Sequence, residues 1–529
     1  MQLGIDFGTS TTLVSYRKGD SANSQLLDIG KGPGRRGYEE FTIPSVIAIR
    51  KNADCKIGYE AERVSEAEPD KVILLRSLKR CLACDAKVAD DHGACRNPFN
   101  RRFCKGNQKF KLFDSDKSVN ELINSFMSGL LKIPAISAVY KSPNLRDIGI
   151  SVPAIFRPDP RRTVYDILLR LTEDTKRIIV VNEPTAAILA CRDGKSSDED
   201  GIYAICDVGG GTTDIVVYAK EGNEYFLFRP RSLPVAGDDV DEFLLERLFP
   251  HYSKSEGKSG QSVVEVRRAK EYLTLSKEVT VFGRKLPRET FEEIICPVLD
   301  AVTEGLREEI KKVFDAYKPT SQTHRHFTLK KIYLSGGGSK IPLLKRLIQT
   351  KLENYHPDVD FITTPDLSRI YGEDVPIVVV ALGTSMPKKD VSDAIQYMLP
   401  YAIHIKVGSE QREVVAMYSE LPVEFKASRN HGSPMELFAI EPHNPSAPVH
   451  NLTEEMVTEP PIKKEISLSD WLARYTSFNF IIDKYNIMRV TAIEPHLPNR
   501  PFPLPWQGGI EGPLFDKYRK QWRKDHGYD

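Results

Sequence analysis

The sequence predicts an α/β fold followed by a small all-β domain at its C-terminal end. Two observations lead to this prediction. Two similar glycine- and threonine-rich segments lie about two hundred residues apart, each between β-type runs, and alternating apolar residues recur after residue 397. At 529 residues the chain is too long for one hydrophobic core, which favours two or three domains.

The two glycine-rich segments are residues 4–12 and 206–214. Because each lies between two apolar runs, each is predicted to form a hairpin tip. A triphosphate is a dense anion, and only residues without a bulky side chain let backbone N–H groups approach it closely. One such loop alone is as readily an ordinary tight hairpin, but two loops of the same chemistry favour a phosphate clamp.

The residues of the predicted clamp are glycines, hydroxyl side chains and aspartates. Glycines allow the close approach, and hydroxyl groups add donors to phosphate. Aspartates would repel phosphate unless a divalent cation lay between them, so they predict Mg²⁺. The predicted binding residues are Asp6, Gly8, Thr9, Ser10, Thr11, Gly209, Gly210, Gly211, Thr213 and Asp214.

Four further motifs lie between and after the loops. They are Ile150–Phe156, Val181–Ala187, Ala236–Asp241 and Leu334–Pro342. With the two loops, and in this order over residues 1 to about 386, they resemble the nucleotide-binding domain of the heat-shock protein 70 (DnaK-type) chaperone family. Sugar kinases and actins share the clamp, but not the Asn-Glu-Pro-Thr-Ala-Ala segment together with Val-Pro-Ala.

The resemblance implies an actin-like (ribonuclease H-like) ATPase domain of two duplicated lobes at 1–386, which binds ATP or ADP with Mg²⁺. It also implies catalytic roles for four residues. Lys79 would stabilise charge on the γ-phosphate, Glu183 and Asp207 would orient magnesium-bound water and the nucleophile, and Thr212 would contact phosphate. The alternative for Lys79 is a surface lysine on a basic strip.

At the nucleoside end, the resemblance implies binding roles for Gly237, Lys270, Gly337, Gly338 and Lys340. Residues 264–275 resemble the adenosine-contacting helix, but Glu271 stands where the family has a stacking arginine. Lys340 also stands where an arginine is common. Because glutamate cannot stack on a base as a planar guanidinium does, we expect weaker adenine binding than is typical of relatives.

Four of the eight cysteines lie in a polar segment, 79–108, which looks like an insertion relative to the family. Four thiolates complete a tetrahedral structural zinc site, and a metal would explain how a segment with little to bury can fold. Only the first pair has the usual knuckle spacing, so unliganded cysteines or a redox pair remain alternatives. The predicted ligands are Cys81, Cys84, Cys95 and Cys104.

After a polar linker at 387–396, residues 397–500 are predicted to form a small β-sandwich. A hairpin at 480–492 resembles part of the family's peptide-binding domain. Residues 501–529 are predicted to be a short tail with a helix at 514–524, which is too short for the family's helical lid. The predicted strands are Ala402–Val407, Val414–Tyr418, Val423–Ala427, Glu436–Ile440, Phe478–Ile482 and Met488–Ile493.

We expect an ATP-hydrolysing chaperone whose nucleotide state controls the binding of an unfolded or extended polypeptide. A J-domain co-chaperone and a nucleotide exchange factor are partners that the resemblance implies. A second hypothesis is a nucleotide-gated adaptor for one dedicated protein partner. A third is a small-molecule kinase of the same superfold.

Net charge and hydropathy argue against two further classes of partner, nucleic acids and membranes. A net charge of +1 gives no case for nucleic acid or an anionic membrane. No apolar stretch approaches the ~20 residues that a membrane span requires. Because the first predicted strand begins at Met1, it leaves no room for a signal peptide, and we expect a cytoplasmic protein with mostly reduced cysteines.

Overall fold

The structure, a computed structural model, divides the chain into two compact units. The first comprises Met1–Val216, Pro230–Glu309 and Phe327–Ser392, and the second comprises Val217–Arg229, Ile310–His326 and Asp393–Asp529. The residues that the structure describes are 1–19, 23–29, 41–51, 54–82, 109–113, 115–153, 158–172, 176–193, 199–221, 224–228, 231–233, 235–248, 259–316, 328–386, 395–397, 402–407, 410–415, 423–428, 435–440, 462–464, 477–482, 488–493 and 502–504.

The first lobe, up to residue 193, begins with six strands and then combines strands with helices. In chain order they are β1 (Gln2–Phe7), β2 (Thr11–Arg17), β3 (Gln25–Leu26), β4 (Thr42–Pro44), β5 (Val46–Arg50), β6 (Cys55–Ile57), α1 (Gly58–Ala67), β7 (Val72–Arg76), α2 (Leu78–Leu82), β8 (Lys109–Leu112), β9 (Ser115–Ser118), α3 (Val119–Lys132), α4 (Pro134–Tyr140), β10 (Asp147–Val152), α5 (Pro158–Leu171), β11 (Arg177–Asn182) and α6 (Glu183–Asp193).

A six-stranded mixed sheet forms the centre of the first lobe. Its order is β11-β10-β1-β2-β3, and β4 also pairs with β2. The strands β1, β10 and β11 are parallel, whereas β1 and β2 form an antiparallel hairpin. Apolar residues of α3 and α5 pack with this sheet in one core, in which Phe126 and Ile167 join Ile5 and Ile150. The hydrophobic core thereby holds strands β1 and β10 in place.

The second lobe, from residue 199 to 386, has a similar series of elements. They are β12 (Gly201–Val208), β13 (Thr213–Glu221), β14 (Glu224–Leu227), β15 (Arg231–Leu233), α7 (Gly237–Leu248), α8 (Ser259–Leu275), β16 (Glu278–Val281), β17 (Arg284–Pro287), α9 (Arg288–Ala316), β18 (Leu329–Ser335), α10 (Pro342–Lys351), β19 (Asp358–Phe361), α11 (Pro365–Tyr371) and α12 (Val375–Thr384), with 3₁₀ turns at Gly337–Lys340, Glu353–Tyr355 and Gly372–Asp374.

The sheet of the second lobe repeats the strand plan of the first. Its order begins β19-β18-β12-β13, with β15 beside β13, and β12, β18 and β19 are parallel. From Val217 onward β13 belongs to the second unit, where it pairs antiparallel with β14. The predicted α/β class is confirmed, and the architecture is consistent with an actin-like ATPase fold.

Helices α6 and α12 approach each other closely. A Cβ atom on Gly383 of α12 would lie 1.7 Å from the carbonyl oxygen of Ala186 on α6. Helix α12 also contacts the first sheet, because the hydroxyl of Ser15 donates to the carbonyl of Ala381 at 2.5 Å. The helix is therefore held both by α6 and by the sheet that carries the first glycine-rich loop.

The predicted insertion begins inside the core. Helix α2 starts directly after the small antiparallel sheet β6-β5-β7, and Leu78, Cys81 and Leu82 pack into the core of the first lobe. Residues 79–82 thus belong to the framework of the lobe. The rest of the predicted insertion, residues 83–108, lies outside the described residues.

The last part of the chain contains only strands among its described residues. They are β20 (Ile395–Tyr397), β21 (Ala402–Val407), β22 (Glu410–Val415), β23 (Val423–Ser428), β24 (Met435–Ile440), β25 (Ile462–Lys464), β26 (Ser477–Ile482), β27 (Met488–Ile493) and β28 (Phe502–Leu504).

Two four-stranded antiparallel sheets account for most of these strands. Their orders are β22-β21-β24-β25 and β23-β26-β27-β28. The predicted hairpin is present as β26 and β27, in which Ile482 pairs with Met488, while its turn lies outside the described residues. The second sheet runs past the predicted domain end at residue 500, because β28 pairs with β27.

Most predicted strand bounds in this region agree with the structure to within one residue. The prediction at Val414–Tyr418 was placed too late, since the strand there is Glu410–Val415. Strand β20, which pairs in parallel with β14, overlaps the end of the predicted linker at 387–396. The remainder of that linker and the predicted helix at 514–524 lie outside the described residues.

Within the described ranges, no helix taken singly has both the length and the apolar character needed to cross a membrane. Helices α3 and α4 meet that criterion only when taken together, with an 86° bend between them.

Candidate functional site

The two glycine-rich loops lie against each other. Residues 8–10 join β1 to β2, and residues 209–212 join β12 to β13. A Cβ atom on Gly210 would lie 2.0 Å from Oγ of Ser10, and one on Gly211 would lie 2.6 Å from Cγ2 of Thr9. Only glycine permits these approaches without a shift of the opposite loop. The structure therefore brings the two predicted halves of the clamp together.

The hydroxyl groups of the second loop have different partners. Thr212 Oγ1 donates to Asp214 Oδ2 at 2.9 Å. Thr213, by contrast, is fully buried and donates to the carbonyl of Val235 at 2.7 Å. Its hydroxyl thus joins two protein segments, although the sequence predicted a contact with the ligand.

The first loop places its predicted residues at the tip and at the start of β2. Gly8 donates through its backbone N–H to the carbonyl of Asp6 at 3.0 Å. Thr9 and Ser10 form the rest of the tip, and Thr11 is the first residue of β2, where it pairs with Pro44. The tip is therefore short and bounded by sheet hydrogen bonds on both sides.

Three aspartates lie on the strands beside the loops; Asp207 and Asp214 are buried, and Asp6 is partly buried. Asp6 is on β1, Asp207 is on β12 and Asp214 is on β13. The hydroxyl of Ser151 donates to Asp6 at 2.6 Å, and the hydroxyl of Ser232 donates to Asp214. Each aspartate is thus held in place by its own strand, and two of them by a serine on a neighbouring strand.

These carboxylates are electrostatically unfavourable in their ionised form. Burial raises the pKa of Asp6 to about 6, and the nearby Glu183 adds to the rise. Burial and Glu183 likewise raise the pKa of Asp214 to about 6. Burial, Glu183 and the two other aspartates raise the pKa of Asp207 well above its ordinary value. The site therefore holds more buried negative charge than its own cations balance.

Lys79 is the cation at the centre of this group. Its side chain is only 3% exposed, and its ammonium contacts the carboxylate of Glu183 at the start of α6. It also lies 5.9 Å from the ring centroid of Phe7 on β1. The alternative of a surface lysine is wrong, because α2 carries Lys79 into the interior.

A divalent cation fits this arrangement electrostatically. Burial, followed by repulsion from Glu183, raises the pKa values of Asp6, Asp207 and Asp214, and a nearby divalent cation would offset both effects. In the part of the chain that the structure describes, however, no three His, Cys, Asp or Glu side chains converge closely enough to hold a metal ion by themselves. Mg²⁺ retains several waters and shares phosphate ligands, so these residues suit a magnesium–nucleotide complex better than a bare ion.

The predicted nucleoside-binding residues fall into two places. Lys270 on α8 donates to the carbonyl of Gly237 at 2.9 Å, and the N–H of Gly237 donates to the carbonyl of Gly209 at 3.1 Å. These residues therefore adjoin the second loop. Lys340 instead forms an ion pair with Asp374 at 2.9 Å.

The turn that contains Gly337 and Gly338 packs on the end of β12. A Cβ atom on Gly338 would lie 2.6 Å from Cγ1 of Val208. The preceding Gly336, which the sequence did not single out as a site residue, has φ +79°, and a Cβ there would lie 2.4 Å from Oδ1 of Asp207. The motif is thus in contact with the carboxylates of the site.

The predicted zinc ligands are only partly described. Cys81 is 2% exposed and packs in the hydrophobic core of the first lobe. Cys84, Cys95 and Cys104 lie outside the described residues.

Two further site residues were missed by sequence reasoning. Asp238, in the first turn of α7, accepts a hydrogen bond from the hydroxyl of Ser77 at 2.7 Å. Ser77 itself precedes α2 and has a left-handed φ of +53°. Asp238 lies within the motif Ala236–Asp241 and Ser77 lies shortly before Lys79, but their contact joins residues 161 positions apart.

Comparison with known proteins decides the family. A family model described as "Hsp70 protein" matches residues 2–358, which includes both loops, Lys79, Glu183 and Asp238. The chain belongs to the Hsp70 family. The match ends near β19, so it covers most of the two lobes and none of the two C-terminal sheets.

Individual Hsp70 relatives are distant. The Chaperone protein HscA homolog of Shewanella denitrificans is 26% identical over 377 residues, which cover 68% of this chain and 56% of the relative. That of Shewanella sediminis is 26% identical over 441 residues, covering 80% and 65%. The Chaperone protein DnaK of Thermoplasma volcanium is 26% identical over 374 residues, covering 66% and 54%. The chain thus spans between 54% and 65% of the length of these Hsp70 relatives.

Proposed function

We propose that this chain binds ATP with Mg²⁺ and hydrolyses it. The observation that carries the proposal is the buried contact between Lys79 and Glu183, near Asp6, Asp207 and Asp214, in two lobes whose glycine-rich loops lie against each other. Hydrolysis of a phosphoanhydride needs preorganised positive charge where the phosphoryl oxygens gain negative charge. Bound Mg²⁺ would supply further charge neutralisation between the phosphates and Asp6, Asp207 and Asp214.

The protein groups would divide the work as follows. Backbone N–H groups of Gly210 and Gly211 would hold the phosphates, since glycine allows the closest approach, while those of Gly8 and Gly209 donate to the carbonyls of Asp6 and Thr212 and shape the two loops. Lys79 would stabilise the charge that develops on the transferred phosphoryl group. Glu183 would keep that ammonium oriented, and Asp207 would orient the attacking water. Thr212 would contact phosphate beside Asp214.

We also propose that nucleotide state controls the binding of an extended polypeptide to the C-terminal sheets, which would form a β-sandwich. Two antiparallel sheets offer strand edges that can bond the backbone of an extended chain. The relatives named above are chaperone proteins. J-domain and nucleotide-exchange proteins are the co-chaperones we propose, and the cytoplasm is the proposed location.

Peptide binding tests this proposal directly. The affinity of the full chain for a fluorescent, extended, apolar peptide is measured by anisotropy with saturating ATP and with saturating ADP. We expect the two dissociation constants to differ by about tenfold or more, as allosteric coupling of roughly 1–3 kcal/mol requires. Peptide binding that is equal in both nucleotides, or absent in both, would contradict the proposal and favour an adaptor for one dedicated partner.

A structural zinc ion in the cysteine-rich segment is a separate proposal. It rests on the spacing of four cysteines in a polar stretch and on the affinity of zinc for thiolates. Because Cys81 packs in the core, its replacement would disturb folding whether or not zinc is bound. The informative variant is therefore Cys84→Ser with Cys95→Ser. We expect the purified wild type to contain about one zinc per chain and the variant to lose it; equal zinc content would refute the proposal.

A further inference from the structure

Ser77 has an unusual backbone conformation directly before the helix that carries Lys79. Its φ is +53°, in the left-handed region that residues with a Cβ rarely occupy. Its carbonyl accepts a hydrogen bond from the backbone N–H of Arg80 at 3.1 Å. Ser77 thus begins the turn that determines where α2, and with it Lys79, lies in the site.

Asp238 holds the Ser77 hydroxyl from the other lobe. Its Oδ2 accepts the hydrogen bond from Ser77 Oγ at 2.7 Å, and its Oδ1 accepts one from Nη2 of Arg267 at 2.8 Å. The backbone N–H of Asp238 donates to the carbonyl of Gly210 at 2.6 Å. A single residue therefore joins the turn before Lys79 to the second glycine-rich loop.

The environment of this contact makes it strong. Ser77 and Asp238 are each 1% exposed, so water does not compete for the hydrogen bond. A buried carboxylate is costly unless cations and donors satisfy it, and Arg267 and Ser77 do so for Asp238. A left-handed serine persists only where its surroundings impose it. The bond to Asp238 is one such constraint.

We infer that Asp238 is a positioning residue for ATP hydrolysis. Through its hydrogen bond to Ser77 it fixes the left-handed turn, and so places Lys79 relative to the second loop. The inference rests on the proposed hydrolytic function. Asp238 itself is not assigned a contact with the nucleotide. The inference means that the position of the second loop, which Asp238 also bonds, is coupled to the position of Lys79.

Variants of Ser77 test the inference in the full chain. Ser77→Ala removes the hydroxyl and leaves a Cβ in the left-handed conformation, whereas Ser77→Gly removes the hydroxyl but adopts that conformation freely. Asp238→Ala and the double variant Ser77→Ala, Asp238→Ala complete a double-mutant cycle, which measures the coupling between the two residues. Ser115→Ala, which removes a hydroxyl that donates to the nearby carbonyl of Leu112, is the matched control.

Two readouts are taken for each variant. One is the single-turnover rate of ATP hydrolysis together with the dissociation constant for ATP. The other is the rate of amide hydrogen exchange over residues 79–82, which reports the position and order of α2 without any requirement for activity.

We expect Ser77→Ala to slow hydrolysis by about tenfold or more, while the affinity for ATP changes by less than about threefold, because misplacement of a catalytic group by 1 Å has effects of this size. Ser77→Gly should recover much of the rate. The double variant should be no slower than Asp238→Ala alone. Exchange over 79–82 should be faster in Ser77→Ala than in the wild type and the Ser115→Ala control.

Three results would overturn the inference: a wild-type rate in Ser77→Ala, equal loss in Ser77→Gly and Ser77→Ala, or additive losses in the double variant. If the wild type itself fails to hydrolyse ATP, the proposed function is refuted separately. Hydrogen exchange then remains as the test of the positioning role, and an unchanged exchange rate over residues 79–82 in Ser77→Ala would refute that role.

Discussion

The ammonium of Lys79 contacts the carboxylate of Glu183 in the interior of the first lobe, although the two residues are 104 positions apart. Lys79 comes from the short helix α2, and Glu183 is the first residue of α6. Both lie close enough to Asp6 of β1, Asp207 of β12 and Asp214 of β13 to affect the pKa values of these aspartates, so the pair belongs to the same site as the two halves of the clamp. A buried ion pair contributes little stability compared with well-packed apolar residues. Its presence here supports the proposed catalytic role.

Because the two loops are in contact, we expect substitution of Gly210 to weaken ATP binding. In Gly210→Ala the new Cβ would meet Oγ of Ser10 at 2.0 Å and Cβ of Ser10 at 3.0 Å, so the Ser10 side chain has to rotate and the two loops have to separate slightly. Overpacking of this kind costs about 1–3 kcal/mol, and we expect ATP to bind about tenfold more weakly. The control is Gly19→Ala, where, among the residues that the structure describes, no atom beyond the adjoining residues lies within 4 Å of the new Cβ. Equal affinities of the two variants, measured by calorimetry, would show that the loops do not meet as described.

The approach of α12 to α6 predicts a loss of stability without a direct effect on the site. In Gly383→Ala the Cβ would lie 1.7 Å from the carbonyl oxygen of Ala186, and backbone atoms cannot rotate away as a side chain can. We expect a loss of about 1–3 kcal/mol or more. Thermal unfolding should therefore shift down relative to Gly19→Ala. An unchanged unfolding temperature would contradict the described helix packing.

Stability of the nucleotide-free protein should depend on the ionisation of Asp214. Its pKa is raised from 3.8 to about 6, so between these values the folded state binds more protons than the unfolded chain. The contribution of Asp214 to stability is therefore present at low pH, declines as pH rises through this window, and is lost above about pH 6. A shift of roughly two pK units corresponds to at most about 3 kcal/mol.

The measurement compares thermal unfolding of wild type and Asp214→Asn in magnesium-free buffer from about pH 4 to about pH 7. The variant should gain stability relative to the wild type as pH rises, since asparagine does not ionise. Asp70→Asn, at an exposed position, is the control and should show no such trend. A difference that stays constant with pH would contradict the raised pKa.

Replacement of Glu271 by arginine should strengthen adenine binding. Glu271 is exposed on α8, one position after Lys270, which adjoins the second loop. A guanidinium there can stack on the base, a contribution of about 0.5–1 kcal/mol at an exposed site. We expect ATP to bind about two- to fivefold more tightly to Glu271→Arg. Inorganic triphosphate should bind both proteins equally, and Glu293→Arg on α9 is the charge-matched control. If inorganic triphosphate also bound Glu271→Arg more tightly than the wild type, the gain would come from net charge and not from stacking on the base.

The loops could be predicted from sequence because their chemistry is local. Glycines, hydroxyl groups and aspartates within nine residues indicate a phosphate-binding turn, and the apolar runs on either side indicate the strands. The hydroxyl of Thr213, which was predicted to bind the ligand, donates to a backbone carbonyl for a simple reason. Successive residues of a strand face opposite sides, so Thr213 bonds Val235 while its neighbour Asp214 bonds Ser232 in the site.

The tertiary contacts of the site were harder to predict from the sequence. The position of Lys79 was inferred from a short family motif, and its burial depends on α2 packing into the core. The bond between Ser77 and Asp238 depends on a left-handed serine and on how two lobes meet, and neither leaves a pattern in the sequence. In the C-terminal region, alternation predicted most strands, but the short strands β25 and β28 have too few residues to show a period.

Single-turnover hydrolysis of ATP by excess enzyme tests the central claim most directly, with wild type, Lys79→Gln and Lys330→Gln compared at saturating protein. Lys330 is a partly exposed lysine paired with the exposed Glu199, so its variant controls for loss of one positive charge. We expect Lys79→Gln to hydrolyse ATP about 100-fold more slowly or worse, as for loss of one preorganised charge-stabilising group, while it still binds ATP. Hydrolysis by Lys79→Gln at the rate of the wild type would contradict the assignment of this site.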